Sequence, residues 1–220
     1  MEKATHYKLI LADDHTLLRD ALSNLINNFE DFSVIANAGN GEDVLTEIRN
    51  GCRPDIILMD LNMPLLDGYE TSRWLQEHYP NIKVVILTMY DSEIALIRLL
   101  QVGVYGFLKK DIHPNELKHA LLTIASGEYY YSSNATGKIA SLFRKTPNKT
   151  NSLEKALLND TEIEFLKLAS TDMTYKEIAQ TMKLTPRHID TLRDNLFDKL
   201  DVKSRVGLAI YAVKNGIVTI

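Results

Sequence analysis

PDIILMDLNMPLLDG, residues 54–68, is the stretch on which the fold turns. Ile56-Ile57-Leu58-Met59 is a short apolar run with β-branched members, which suits a parallel strand covered on both faces. The run ends on an acid, Asp60, and a loop with Pro64 and Asp67-Gly68 follows. Ligands in open α/β sheets bind outside the carboxyl ends of such strands. Asp60 is therefore expected at a crevice, on a rigid element. An acid just after a strand is often only a solvated loop residue, so the flanking sequence has to decide between the two.

Working outward, the same unit recurs. Tyr7–Ala12 reads as a strand running into Asp13-Asp14, and Phe32–Ala38 as a second. Ile82–Leu87 is a fourth strand ending at Thr88, and Val104–Leu108 a fifth leading to Lys109-Lys110. Between them lie helical patterns: His15–Asn28, with Leu17, Leu18, Ala21, Leu22, Leu25 and Ile26 at helical spacing; Glu42–Asn50; Tyr69–Tyr79, stopped by Pro80; Asp91–Val102, with Gly103 at its end; and a fifth from near Pro114 to Gly127. Five strands alternating with five helices imply an α/β domain, a five-stranded parallel doubly wound sheet over residues 1–128.

Residues 129–152 break the pattern and read as a linker, with a short helix around Ala135–Phe143. Tyr129-Tyr130-Tyr131 opens it; packing against the preceding helix is preferred to a nucleic-acid stacking role. Residues 153–220 read as a small all-α domain of four helices. Asp160 or Thr161 is expected to cap the first, and Thr174 the second, with Glu177 at the capping-box spacing. Thr185-Pro186 opens the third helix, Arg187–Leu200, and Ser204 the fourth. Short helices with tight joints resemble a helix-turn-helix.

Charge follows these divisions. Residues 1–129 carry 11 Lys+Arg against 19 Asp+Glu, residues 130–150 carry 4 basic and no acidic residues, and residues 151–220 carry 10 of each. An acidic domain, a basic connector and a neutral domain result. The single cysteine, Cys52, allows no intrachain disulfide. No apolar run approaches the roughly 18 residues of a membrane span, and no signal-peptide pattern opens the chain. A soluble cytoplasmic protein without a membrane partner is expected.

Asp13, Asp14 and Asp60 are thus expected at strand ends on one edge. Crowded carboxylates repel, so a cation must offset them. A small hard dication, Mg2+, fits an all-oxygen set. Lys110 adds an ammonium and Thr88 a hydroxyl, completing a phosphate-binding constellation around one carboxylate nucleophile.

Asp13-Asp14, Asp60 with Met63-Pro64 and Asp67-Gly68, Thr88, and Gly103 through Phe107-Leu108-Lys109-Lys110 resemble the receiver domain of two-component response regulators, in order and spacing over residues 7–127. The resemblance implies a flavodoxin-like fold in which Asp60 accepts a phosphoryl group from a sensor histidine kinase. It also implies Mg2+ held by Asp14, Asp60 and the Asn62 carbonyl, with Asp13 acting mainly through water. Lys110 would pair with the phosphoryl oxygens, Lys109 would be exposed, and Thr88 and Phe107 would form the switch pair, Phe107 rotating into space that Thr88 vacates. Asp111 stands where many receivers have proline, as is usual in the subgroup joined to a four-helix effector.

Residues 158–213 resemble the LuxR/FixJ-type DNA-binding domain through Glu162, Leu166, Lys176-Glu177-Ile178-Ala179, Leu184-Thr185, Ile189, Asn195, Lys199-Leu200, Val202 and Arg205. Together the two halves resemble a NarL/FixJ-type response regulator. The resemblance implies double-stranded DNA as partner, with Lys176, Arg187, His188, Thr191, Arg193, Asn195, Lys199, Lys203 and Arg205 as candidate contacts. Family members commonly carry lysines where Asp190 and, in some members, Asp194 stand, so altered base preference and weak non-specific affinity are expected. The last helix is apolar enough for a homodimer in the active form, although packing within its own domain explains it equally well. Two other readings remain open at this level: a receiver whose degenerate helix-turn-helix contacts protein instead of DNA, and a phosphatase of the same topology. No second catalytic acid, base or lid supports the phosphatase, so an enzyme acting on an external substrate is not expected.

Overall fold

β3, Ile56–Asp60, is buried along its whole length. A computed structural model of the chain describes residues 6–89, 93–132 and 158–218, without the side chains of residues 93 and 94. Around β3 run β1 Tyr7–Ala12, α1 Thr16–Asn27, β2 Phe32–Ala38, α2 Gly41–Arg49, α3 Gly68–His78, β4 Lys83–Thr88, α4 Glu93–Val102, β5 Gly106–Lys109, α5 Pro114–Ala125 and β6 Tyr130–Tyr131. The strand order is β2-β1-β3-β4-β5-β6, every pair parallel. The sheet therefore has six strands rather than five. The sixth is two residues long and uses Tyr130 and Tyr131, which the sequence assigns to the linker.

Side chains alternate across the pleat. On one face, Leu9, Leu11, Ile56, Leu58, Val85, Leu87 and Leu108 meet Ile26 of α1 and Leu117, Leu121 and Ile124 of α5. The intervening Ile10, Ile57, Ile86 and Phe107 are equally buried, so the other face is covered too. This is why β3 and β4 read as unbroken apolar runs. Local chemistry sets the helix starts: Asn40 caps α2, Asp67 caps α3, and His113 with Pro114 opens α5.

The tyrosine run packs along the sheet edge. Tyr105 stacks on Tyr129 with centroids 4.9 Å apart, and the Tyr131 hydroxyl donates to the Val104 carbonyl. Burial pushes that hydroxyl up to about 12.

The second unit comprises α6 Asp160–Ala169, α7 Tyr175–Thr181, α8 Pro186–Leu200 and α9 Arg205–Lys214. Its core gathers Phe165, Leu166, Ile178, Ile189, Leu196, Leu208 and Ala212. Thr174 and Glu177 form the expected capping box, and Thr185 and Ser204 cap α8 and α9. For α6 the cap is Asn159 rather than Asp160 or Thr161, because its amide oxygen reaches the Glu162 N–H while Glu162 reaches back. The short helix expected near Ala135–Phe143 lies outside the described residues, as does most of the linker.

Candidate functional site

The sheet order reverses between β1 and β3, and the acids stand at the carboxyl ends of these two strands. The Lys110 ammonium lies 2.8 Å from Asp13 Oδ2 and 2.8 Å from Asp60 Oδ2. All three side chains are nearly shut off from water, at 5%, 2% and 6% exposure. Asp14 is more open, at 37%, and its Oδ1 lies 2.9 Å from His15 Nδ1. His15 also donates its main-chain N–H to Asp13 Oδ1 at 2.9 Å. Thus Asp13 spends one oxygen on Lys110 and one on His15, while Asp60 gives Oδ2 to Lys110 and its carboxylate also accepts from the Leu61 N–H. Arg19 fastens this corner by donating to the Asp13 carbonyl at 2.6 Å.

Burial pushes the Asp60 carboxyl above its ordinary value; the Lys110 hydrogen bond and charge pull it down, and the Asp13 charge pushes it up again. For Lys110, burial works against the charged form, but hydrogen bonds and charge from Asp13 and Asp60 outweigh it and hold the ammonium above its ordinary value. The site thus carries negative charge that one ammonium only partly offsets.

Oxygen and nitrogen ligand atoms of Asp13, Asp14, His15 and Asp60 lie within 4.8 Å of one another. A set dominated by carboxylates fits a hard divalent cation such as Mg2+. The amide nitrogen of Asn62 is buried without an acceptor among the described residues. A nitrogen donor suits an anionic oxygen rather than a cation.

The loop after β3 is shaped to leave Asp60 room. A Cβ on Gly68 would lie 2.3 Å from the Asp60 carbonyl oxygen, so only glycine lets α3 begin so close. Leu65 in the same loop has φ 64°, left-handed backbone, and its side chain is 81% exposed. Thr88 ends β4 fully buried, and its carbonyl accepts from the Lys110 N–H at 3.0 Å. Lys109, expected to be exposed, is half-buried as the last residue of β5. Phe107 is also fully buried.

In the helical unit, α7 and α8 meet through a turn in which Lys183 has φ 55°, and Asp201 closes α8 with φ 52°. Lys176, Arg187, His188, Thr191, Asn195 and Lys203 are exposed. Thr191 turns its hydroxyl back onto the Arg187 carbonyl at 3.0 Å. Arg193 is clamped: Nη1 donates to Asp190 Oδ1 at 3.0 Å, and Nε and Nη2 donate to Asp194 Oδ1 at 2.9 and 2.8 Å. The Asp194 bond is the chief reason its guanidinium is held above its ordinary value.

Two expected DNA contacts are turned inward instead. Lys199 donates to both oxygens of Glu162 at 2.7–2.8 Å, tying α8 to the start of α6. Arg205 donates to the carbonyls of Ala169 and Thr171, closing the end of α6. Charge in a sequence shows no direction, and here acceptors on α6 and just after it claim both cations. His15, by contrast, escaped the sequence reading, although its place directly after Asp13-Asp14 was the available signal.

The α9 residues divide. Leu208 and Ala212 enter the domain core, while Val206 and Ile210, four apart, stay 66% and 51% exposed.

Residues 9–122 match the family described as response regulator receiver domain, and residues 156–212 match bacterial regulatory proteins, luxR family. Response regulator GacA of Pseudomonas aeruginosa is 31% identical over 211 residues, covering 96% of this chain and 97% of that protein. The transcriptional regulatory protein LnrK of Bacillus subtilis is 30% identical over 216 residues, covering 96% and 98%. RcsB from Salmonella enterica serovar Typhimurium, solved bound to promoter rprA, aligns with a TM-score of 0.71 at 19% identity over 94% of this chain and 98% of that one, a likeness of fold. No described helix is long and apolar enough to cross a membrane. With both halves matched in order, the chain belongs to the NarL/FixJ-type transcriptional response regulators, a receiver domain followed by a luxR-type DNA-binding domain.

Proposed function

We propose that Asp60 is the phosphoacceptor and that a sensor histidine kinase is the donor. The observation that carries this is the single buried ammonium of Lys110 at 2.8 Å from both Asp13 and Asp60 on the carboxyl rim of the sheet. A carboxylate oxygen of Asp60 attacks phosphorus, the P–N bond to the donor imidazole breaks, and the ring leaves with the bonding pair and takes a proton from solvent. Lys110 transfers from Asp60 Oδ2 to a phosphoryl oxygen, since that carboxylate loses charge as the acyl phosphate forms. The Thr88 hydroxyl and the orphaned Asn62 amide supply further donors. A magnesium ion held by Asp14, Asp60 and the Asn62 main-chain carbonyl, with Asp13 through water, would offset charge on the transferred group. Dianionic charge and three acceptor oxygens then replace one carboxylate and bias the surface formed by α4, β5 and α5.

The output of this reading is sequence-specific binding of double-stranded DNA, with α8 in the major groove and Lys176, Arg187, His188, Thr191, Arg193, Asn195 and Lys203 facing the duplex. The exposed pair Val206 and Ile210 supports a two-fold homodimer of the active form. The linker then begins after Ser132 rather than at residue 129, since Tyr130 and Tyr131 pair with β5.

Intact-mass measurement after incubation with acetyl phosphate and magnesium tests the acceptor. The native chain gains one phosphoryl group, labile to hydroxylamine, and Asp60→Asn gains none. Stoichiometric, hydroxylamine-labile labelling of that variant would overturn the assignment.

A further inference from the structure

We infer that Asp190, Arg193 and Asp194 form a base-reading clamp selective for a guanine with neighbouring cytosines. The inference rests on the reading that α8 enters the major groove. Residues 190, 193 and 194 lie on one face of α8, since positions three and four apart are helical neighbours. They lie around the middle of its 15 residues, with Asp190 in the first half, Arg193 at the centre and Asp194 just past it. The hydrogen-bond inventory gives the selectivity. A guanidinium has five N–H groups, and three bonds to the two acids leave two. Two N–H donors match the paired acceptors O6 and N7 of guanine. Each acid bonds through Oδ1, which leaves Oδ2 of Asp190 and Oδ2 of Asp194 as acceptors. An acceptor matches the N4 amine of cytosine and repels the O4 of thymine or the O6 of guanine.

The clamp is also supported from behind. The Arg193 guanidinium lies 5.3 Å from the Tyr175 ring centroid, and Tyr175 stacks on the fully buried Phe165 at 6.1 Å. A side chain held in place by an aromatic face and two carboxylates loses little freedom on binding. With two acids to one cation, the face carries net negative charge. It draws little affinity from phosphates, and the base edges must supply its favourable contacts.

Selection from a random duplex library with the acetyl-phosphate-treated full chain tests this. The native chain enriches a G·C pair together with two neighbouring C·G pairs, one for each acid, at one place in each half-site. Asp190→Asn and Asp194→Asn each lose the cytosine preference at one position, since an amide NH2, a donor, then faces the base where Oδ2 accepted. Arg193→Gln loses the guanine preference by about tenfold. An unchanged motif in the Asn variants, with only tighter binding, would show that the acids merely repel DNA and would overturn the clamp. A native motif without a G·C pair at that place would do the same. If neither the native chain nor the Asp190→Asn, Asp194→Asn double variant enriches any duplex, DNA binding itself fails and takes the clamp with it.

Discussion

Lys110 stands between Asp13 and Asp60 much as Arg193 stands between Asp190 and Asp194, at nearly the same distances. Their surroundings differ. The acids around Lys110 are 2% and 6% exposed, whereas those around Arg193 are 57% and 62% exposed. In the first case water cannot compensate a lost partner, so the arrangement is held tightly and stays short of positive charge. In the second, water competes for every contact, so the ion pairs themselves add little stability, and the Tyr175 ring beside Arg193 does much of the holding. The same three charges thus form a sealed, charge-deficient group in one domain and a solvated one in the other.

The contrast breaks first at Lys110. In Lys110→Ala the two buried carboxylates face each other without a cation, and the metal-free receiver should lose about 4 kcal/mol in chemical denaturation. Added magnesium should restore part of that loss. A change under about 0.5 kcal/mol, within the range of an ordinary surface substitution, would mean that Lys110 does not neutralise the site.

The helical domain offers its own control. Lys199 and Glu162 form an ion pair of 18% and 9% exposure, intermediate between the two clamps. Lys199→Ala is expected to cost about 2 kcal/mol, and Arg193→Ala less than about 1 kcal/mol. Thermal unfolding of both variants in low and high salt gives the order; an Arg193 loss equal to that of Lys199 would erase the distinction drawn here.

The smallest effect concerns one tyrosine in each domain. Burial pushes the hydroxyls of Tyr131 and Tyr211 up to about 12. Both ionise from 10.0 in the unfolded chain, so stability is unaffected below that pH and falls as pH climbs toward about 12. Each contributes no more than about 1 kcal/mol, because both rings are only half-buried. Phenolate absorbance should show a late phase that Tyr131→Phe and Tyr211→Phe each reduce. A single phase shared by all ten tyrosines would count against buried hydroxyls.

Much of this was written locally in the chain. The acids at strand ends, the pattern of apolar runs and the caps at Thr174, Thr185 and Ser204 all act over a few residues, where periodicity and side-chain chemistry suffice. What escaped depends on distant partners. β6 exists because Tyr130 and Tyr131 meet the edge of β5, and nothing in a two-residue segment announces that. The inward turn of Lys199 needs Glu162, 37 positions earlier, and that of Arg205 needs carbonyls at the end of α6.

Leu65, Lys183 and Asp201 share left-handed backbone, yet none is glycine. A side chain confines that region to one narrow basin, whereas glycine roams through several. The corners in the loop after β3 and at both ends of α8 are therefore fixed elbows and not hinges. Glycine at any of them would relieve the local cost while giving the segment more shapes to choose from. A sturdier fold engineered in that way would come with blunter aim.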